Sequence, residues 1–189
     1  DEGVSQLTAL IFSGADERAK VALIDPDNVA LDPNSSREGV RWFNNEKFSL
    51  VTVDSPRAGR WRLVAPSSDE NRITVISDLS IDVDPLPNSL PVDQPTELGL
   101  RLVDRDGVIT SADLLSVFSI KVTIQDSGNA IEVIDVGALY EVPVNGEYRI
   151  AMPAFSKPGL HKITVRVEAD TLVRELPMYV DVQVPPEAP

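Results

Sequence analysis

The sequence predicts an all-β protein made of two tandem antiparallel β-sandwich domains. Apolar and polar residues alternate with a period of two along much of the chain, which is typical of strands with one buried face. Turn residues recur about every 8–12 residues, the spacing of a sandwich of short strands. Residues 48–63 also align with 148–163, so one β-rich unit repeats at a step of about 100 residues. A barrel gives a similar pattern and stays an alternative.

The first domain is predicted to span residues 1–84. Glycine, aspartate and proline, which suit turns, interrupt the strand pattern at 13–18, 25–28 and 54–59. After the last of these turns, Trp61, Leu63 and Ala65 alternate with Arg60, Arg62 and Val64. The predicted strands are 7–12, 19–24, 40–43, 48–53, 61–65 and 72–78.

The two domains are predicted to join at residues 79–95, where prolines cluster. Proline cannot donate a hydrogen bond to a sheet, and a proline-rich linker is short and fairly stiff. We place the boundary at Asp84, so that the second domain spans residues 85–189. The prolines of this junction are Pro85, Pro87, Pro91 and Pro95.

The second domain is predicted to repeat the plan of the first. Residues 147–152 and 160–168 form its most regular pair of strands, and Leu172 begins the closing strand. Residues 111–116 suit a helix of a single turn at most. The predicted strands are 97–103, 118–125, 131–136, 138–142, 147–152, 160–168 and 172–184.

Composition excludes several classes of function. The 189 residues include 30 acidic and 17 basic ones, a net charge of −13, so nucleic acid and anionic membranes are poor partners. The chain has no cysteine, which excludes disulfides, thiol catalysis and thiolate metal sites. No run of 18 apolar residues predicts a membrane span. The acidic start and proline-rich end suggest a piece of a larger protein.

His161 is the only histidine and therefore the first candidate for catalysis. It lies on the strand face that carries Ile163 and Val165, and in the repeat it occupies the position of Trp61. A residue that aligns with tryptophan in the other copy is expected to pack in a core rather than to catalyse. No phosphate-binding loop, histidine–glutamate metal motif or nucleophile elbow is present, so we expect no enzyme activity.

Acidic residues near the junction are the candidates for a metal site. Calcium takes six to eight oxygen ligands, so the closely spaced Asp78, Asp82 and Asp84 are weak calcium candidates. The simpler interpretation is that these aspartates cap turns through their side chains. We expect no cofactor and no calcium requirement for folding, with an ion at the junction as the alternative.

Arginine and tryptophan cluster in the first domain and form a candidate binding surface. Arg57, Arg60, Arg62 and Trp42 belong to residue types that are enriched at binding hot spots. Arginine also stacks on indole rings. The favoured alternative is that these arginines cover an exposed sheet face beside a core tryptophan.

Two segments carry a resemblance to known families. Residues 157–167, Lys-Pro-Gly-Leu-His-Lys-Ile-Thr-Val-Arg-Val, resemble the Pro-Gly-x-aromatic-x-aliphatic-x-Val stretch of bacterial immunoglobulin-like and fibronectin-III-like domains, with His161 in place of the usual tyrosine. Residues 55–63, Ser-Pro-Arg-Ala-Gly-Arg-Trp-Arg-Leu, resemble the Pro-x-x-Gly-x-Trp turn of β-sandwiches that follow a von Willebrand factor A domain in bacterial surface and periplasmic proteins. The resemblance implies tandem immunoglobulin-like domains outside the cytoplasm.

The function expected from the resemblance is that of a non-catalytic interaction or spacer module, accessory to a von Willebrand factor A-type domain. Its partners would be another protein or neighbouring domains of the same chain, without nucleic acid or membrane insertion. The alternative is a carbohydrate-binding or adhesion module attached to an enzyme, which needs exposed aromatic residues. Only 5% of the residues are aromatic, which favours the first expectation.

Overall fold

The computed structural model describes residues 3–12, 21–65, 72–126 and 129–185. They divide into two compact units. Unit 1 takes in the described residues up to Leu79 together with Asp170–Leu172, and unit 2 takes in the rest. The turn predicted at 13–18 lies outside the described residues. Among the described helices, none has the length and apolar character needed to cross a membrane.

Unit 1 is built from two antiparallel sheets. Its described strands are β1 (Gln6–Phe12), β2 (Ala22–Ile24), β3 (Ala30–Leu31), β4 (Val40–Asn44), β5 (Phe48–Asp54), β6 (Arg62–Val64) and β7 (Arg72–Ser77). One sheet has the order β4-β5-β1-β7 and the other the order β3-β2-β6. β1 is a central strand, with Leu10 opposite Leu50 on β5 and Thr74 on β7.

The core of unit 1 lies between these two sheets. Ile11 and Val51 of the larger sheet pack in one cluster with Leu23 and Leu31 of the smaller sheet, and all four are buried. β-Branched and aliphatic residues suit this arrangement because they pack well on a pleated surface. Trp42 and Trp61 pack against the same cluster and are only partly buried.

Unit 2 also contains two sheets, with two short helices in its connections. Its described elements are β8 (Ser80–Val83), β9 (Ser89–Pro91), β10 (Thr96–Asp104), β11 (Gly107–Val108), α1 (Ala112–Leu115), β12 (Ser119–Asp126), β13 (Asn129–Asp135), α2 (Val136–Leu139), β14 (Glu147–Met152), β15 (Gly159–Ala169) and β16 (Leu172–Gln183). In one sheet, β10 lies between β11 and β14, and β8 also pairs with β10. The other has the order β13-β12-β15-β16-β9. β9 and β16 pair in parallel, whereas β12 pairs antiparallel with both neighbours.

Alternate residues of unit 2 build its core. On β12, Ile120, Val122 and Ile124 are buried and the residues between them are partly exposed. Val122 lies opposite Val165 of β15, whose inward residues alternate in the same way. Leucines of β10 supply the facing layer from the other sheet. The predicted fold class, all-β with two antiparallel β-sandwich units, is thus confirmed, with one parallel strand pair as an addition.

The two helices test the sequence predictions in opposite ways. The single turn predicted at 111–116 is confirmed as α1, where the Ser111 hydroxyl accepts a hydrogen bond from Leu114 N at 3.4 Å. The strand predicted at 138–142 is wrong, because α2 extends into it as far as Leu139 and residues 140–142 form no strand. The Asp135 carboxylate accepts a hydrogen bond from Ala138 N at 3.2 Å, and such an N-cap favours a helical turn.

The predicted junction at 79–95 contains two strands of unit 2. β8 pairs with β10, and β9 pairs with β16. The division between units falls after Leu79, five residues before the predicted boundary at Asp84. Whether the two units are stable as separate domains stays a prediction for limited proteolysis.

Candidate interaction sites

The turn that joins β5 to β6 carries the predicted Arg/Trp surface. Gly59 has a φ of +139°, and a Cβ at this position would lie 2.8 Å from Pro26 Cβ. Only glycine therefore lets this turn approach the loop at 25–29 so closely. The Trp61 indole nitrogen donates a hydrogen bond to the Arg57 carbonyl oxygen at 2.9 Å, which fixes the ring against the turn.

The loop at 25–29 neutralises part of this basic surface. Arg57 forms an ion pair with Asp27, and Arg62 donates a hydrogen bond to the Asn28 side-chain oxygen at 2.7 Å. Arg60 is exposed and has no hydrogen-bond or ion-pair partner in the described part of the chain. Arg57 and Arg62 therefore secure the turn, and of the three arginines Arg62 is the one that lies on a strand, β6.

Trp42 lies apart from this turn, on β4. It pairs with Val51 of β5 and packs against the core of unit 1. Its indole nitrogen is buried and has no hydrogen-bond partner among the described residues. This placement favours a packing role for Trp42 over the predicted role in a binding surface.

A cavity of about 170 Å³ lies beside Trp61 in unit 1. Five of its eleven lining residues are charged, among them Asp25, Arg37 and Arg57. Asp25 is buried and bonds Arg37 at 2.8 Å, and its carboxylate also accepts from Val29 N at 2.9 Å. The hydrogen bond from Arg37 is the main reason that the pKa of Asp25 lies below its usual value. The sequence gives no sign of this pair, because its members lie on different loops.

The calcium candidate Asp78 acts as a backbone cap in unit 1. It has a φ of +56°, and its carboxylate accepts hydrogen bonds from Ser5 N at 2.8 Å and Gln6 N at 2.9 Å. Aspartate tolerates this left-handed conformation better than most residues do. The carboxylate of Asp78 thus serves the start of β1, in agreement with the turn-capping interpretation.

Asp82 and Asp84 belong to unit 2, where an arginine lies between them. Arg101 of β10 bonds Asp82 and Asp84 at 2.8 Å each and also reaches Glu147 at 3.3 Å. Arg149 approaches Asp84 at 3.2 Å as well. Among the described residues, no group of three or more histidine, aspartate or glutamate side chains is arranged to hold a metal ion. The structure therefore assigns both aspartates to an ion-pair cluster.

This cluster predicts a pH dependence of stability. The hydrogen bond from Arg101 is the main cause that lowers the pKa of Asp84. A carboxyl whose folded-state pKa is depressed stabilises the fold above its unfolded-state pKa, about 3.9, and this contribution is lost as the pH falls through the folded-state value. We expect Asp84→Asn to lower the melting temperature at pH 7, with a gap to the unmodified chain that narrows as the pH falls below about 3.9 and closes below the folded-state pKa of Asp84.

Thermal unfolding followed by circular dichroism from pH 7 down to pH 2.5 measures this gap. The matched control is Asp106→Asn, since Asp106 is an exposed turn residue whose side chain forms no ion pair with the described residues. A gap that persists unchanged at low pH, or that appears equally in the control, would contradict the role of Asp84.

His161 is a buried residue of unit 2, as expected from its strand face. It is 1% exposed, and its ring lies edge-on to the Phe155 ring with centroids 5.0 Å apart. Nδ1 donates to the backbone oxygen of Gly159 at 3.1 Å, whereas a catalytic triad has a carboxylate at this position. Ser156 and His161 line a small cavity in unit 2, but no hydrogen bond joins them. These contacts favour packing over catalysis.

Two edge strands expose apolar side chains. On β7, Ile73 and Val75 are 50% and 53% exposed. On β13, Ile131 and Val133 are 50% and 56% exposed. Both strands end their sheets in the order of described strands, so each has one neighbour. Strands of this kind offer backbone groups and apolar side chains to a partner strand.

The sequence matches no protein-family model and no curated protein. Solved structures that align with it include the titin domains z1z2 in complex with telethonin, at a TM-score of 0.30 and 13% identity over 98% of this chain and 90% of that one. The fibronectin(III)-like modules of Clostridium thermocellum CbhA align at a TM-score of 0.29 and 14% identity, over 97% and 92% of the two chains. A DUF4785 family protein from Legionella pneumophila aligns at a TM-score of 0.38 and 7% identity, over 96% of this chain and 55% of that one. At these scores the alignments carry no argument about function.

Proposed function

We propose that this chain is a non-catalytic interaction and spacer segment of a larger extracytoplasmic bacterial protein, where it serves an adjoining von Willebrand factor A-type domain. Two β-sandwich units in tandem suit spacing. The Pro-x-x-Gly-x-Trp pattern at 55–63 and its packed turn support the association with such a domain. The observation that carries the interaction role is the apolar edge strand β7.

β7 has the properties of a strand that accepts a partner. It runs for six residues and contains no proline, and Arg72 is its only charged residue. The Arg72 guanidinium lies over the Phe12 ring, 5.2 Å from its centroid. Ile73 and Val75 lie opposite Ile11 and Ala9 of the core, yet they are half exposed because they fall outside the cluster between the sheets. An added strand would cover both side chains.

The test is binding between this chain and the A-type domain of the parent protein, produced separately and measured by isothermal titration calorimetry. We expect measurable binding that weakens about tenfold in Val75→Lys, equivalent to about 1.4 kcal/mol. Lysine on an edge strand opposes strand addition because its charge would have to be desolvated. The variant should keep its melting temperature, since Val75 is half exposed.

The matched control is Val133→Lys, which changes an equally exposed valine on the edge strand β13 of unit 2. It should leave the affinity for the A-type domain within about twofold, a change too small to indicate lost contacts. The proposal fails if the two chains do not bind, or if both lysine variants weaken binding equally. A parent protein without an A-type domain would also refute it.

The polar cavity beside Trp61 favours one other candidate, a carbohydrate-binding module attached to an enzyme. Sugar ligands need an aromatic surface and convergent polar groups, and this cavity offers Trp61 with Asp25, Arg37 and Glu38. A glycan screen of the whole chain separates the candidates. Binding of a glycan that quenches tryptophan fluorescence would support this second function, whereas no binding across the screen would support the first.

A further inference from the structure

A second cavity lies in unit 2 beside the edge strand β13. Its volume is about 160 Å³. Three segments line it: Ile131 and Glu132 of β13, the connection 153–157 between β14 and β15, and His161 of β15. Pockets for small molecules usually measure about 300–1,000 Å³, so this cavity has room for a single side chain. Apolar side chains, including Phe155, form part of its wall.

The hydrogen-bonding groups of the cavity are mainly acceptors. Because Nδ1 of His161 donates its hydrogen bond to the Gly159 carbonyl oxygen, Nε2 is left as the acceptor of the ring. Nε2 has no hydrogen-bond partner in the described residues, although His161 is almost fully buried. Lys157 is the one lysine of the lining, and its ammonium is paired with Asp126 at 3.3 Å. The Ser156 hydroxyl can donate or accept, so a ligand side chain that donates hydrogen bonds matches the acceptors of this cavity.

The charge at the cavity mouth also favours a ligand that donates hydrogen bonds. Glu132 is exposed and makes no hydrogen bond or ion pair within the described ranges of the chain. The whole chain carries a net charge of −13, which adds a long-range attraction for cations. The Glu132 carboxylate and the acceptor nitrogen of His161 together select a positively charged donor and reject an acidic side chain.

The edge strand explains how such a side chain would be presented. β13 has β12 as its neighbour, and the register between them shifts at Ile124 and Gln125. Glu132 lies opposite Ile124, a core residue, so its charge lies on the inward side of the edge. An inward charge and a bulge both discourage indiscriminate strand pairing. A partner strand that supplies a cation at this position removes the cost of burying the Glu132 charge. It also makes contact with the exposed Ile131 and Val133.

We propose that this cavity binds one arginine or lysine side chain of an extended basic segment that adds to the edge of β13. The aliphatic stem lies against Ile131 and Phe155, and the charged head bonds the Glu132 carboxylate and His161 Nε2. Long basic side chains combine an apolar stem with a charged tip, which fits this lining. The inference rests on the interaction role proposed above, but it assigns a different strand and a different partner chemistry.

Fluorescence anisotropy with labelled, end-blocked peptides tests the proposal on the whole chain. The probes are Val-Thr-Arg-Val-Thr and matched peptides with norleucine or glutamate in place of arginine. We expect the arginine peptide to bind at least about tenfold more tightly than the norleucine peptide, and the glutamate peptide not to bind. Glu132→Gln should remove most of the difference in affinity between the arginine peptide and the norleucine peptide. Glu132 is exposed, so this variant should fold.

The matched control is Glu141→Gln, which removes the same charge from another exposed position of unit 2. It should leave the arginine peptide's affinity unchanged. If Glu132→Gln and Glu141→Gln weaken binding of the arginine peptide equally, the effect comes from net charge alone, and the proposed site is wrong. Equal affinity of the arginine and norleucine peptides would also overturn it.

Two further measurements separate other occupants. Blocked free arginine should bind far more weakly than the peptide, and equal affinity would refute strand addition. Sedimentation velocity should show a monomer without peptide, because a dimer broken by Glu132→Gln would place a second copy of this chain in the cavity. No other part of the parent protein takes part in these assays, so a negative result leaves the binding through β7 untouched.

Discussion

Replacing Leu100 with alanine is expected to destabilise unit 2 by about 2–5 kcal/mol, the range for removing a leucine side chain from a close-packed core. Leu100 is fully buried on β10 and lies opposite both Val83 of β8 and Tyr148 of β14. The cavity left by alanine is enclosed by two sheets, so neighbouring side chains can fill it only in part. Urea unfolding followed by fluorescence and circular dichroism measures the loss of stability.

This variant also tests the predicted independence of the two domains. If the units unfold separately, Leu100→Ala lowers the midpoint of one transition and leaves the tryptophan signal of unit 1 in place, because Trp42 and Trp61 both lie in unit 1. Val133→Ala is the control, and its exposed position predicts a change within about 0.5 kcal/mol. A single transition that shifts as a whole would contradict independent domains, and a loss below about 1 kcal/mol would contradict the burial of Leu100.

Strands with one buried face were predictable from the sequence. β12 and β15 alternate buried and partly exposed residues, so the period of two is visible in the sequence itself. β5 behaves differently, because all residues from Ser49 to Val53 are buried. Its apolar and β-branched composition identified it as a strand, whereas alternation alone would not have done so.

Non-local pairing explains most of what the sequence did not predict. β8 and β9 lie in the proline-rich stretch that was interpreted as a linker, yet Pro85 and Pro87 fall between the strands and Pro91 ends the edge strand β9. Proline is tolerated at such positions because no neighbouring strand requires its missing N–H. The partners that make these segments strands, β10 and β16, are distant in the chain, and local composition carries no trace of them.

The same limit applies to the candidate sites. The sequence identified Asp82, Asp84 and His161 as residues of interest, but their roles depend on partners from other strands. Arg101 lies 17 residues beyond Asp84 and forms an ion pair with it. The cavity at His161 is made by three separate segments, so one strand face could show only that the histidine points inward.

Replacing Trp61 with alanine is expected to destabilise unit 1 by about 3 kcal/mol, near the lower end of the range for a tryptophan in a core. The indole packs on the core cluster but is only partly buried, which lowers the cost relative to a fully buried ring. It also fixes the 57–61 turn through its hydrogen bond to the Arg57 carbonyl oxygen. Thermal and urea unfolding of the variant, monitored by circular dichroism, give the change in free energy.

Trp61→Phe separates packing from the hydrogen bond. Phenylalanine keeps an aromatic ring against the cluster and removes the donor, so the expected loss is about 1 kcal/mol, the net value of one hydrogen bond. If the role of Trp61 is structural, the Trp61→Ala variant should be much less stable than the Trp61→Phe variant. A loss below about 1 kcal/mol for Trp61→Ala, the scale of surface substitutions, would instead show that the ring contributes little to the core. Trp61 would then be available to a ligand in the neighbouring cavity. That result would favour the carbohydrate-binding candidate over the interaction role.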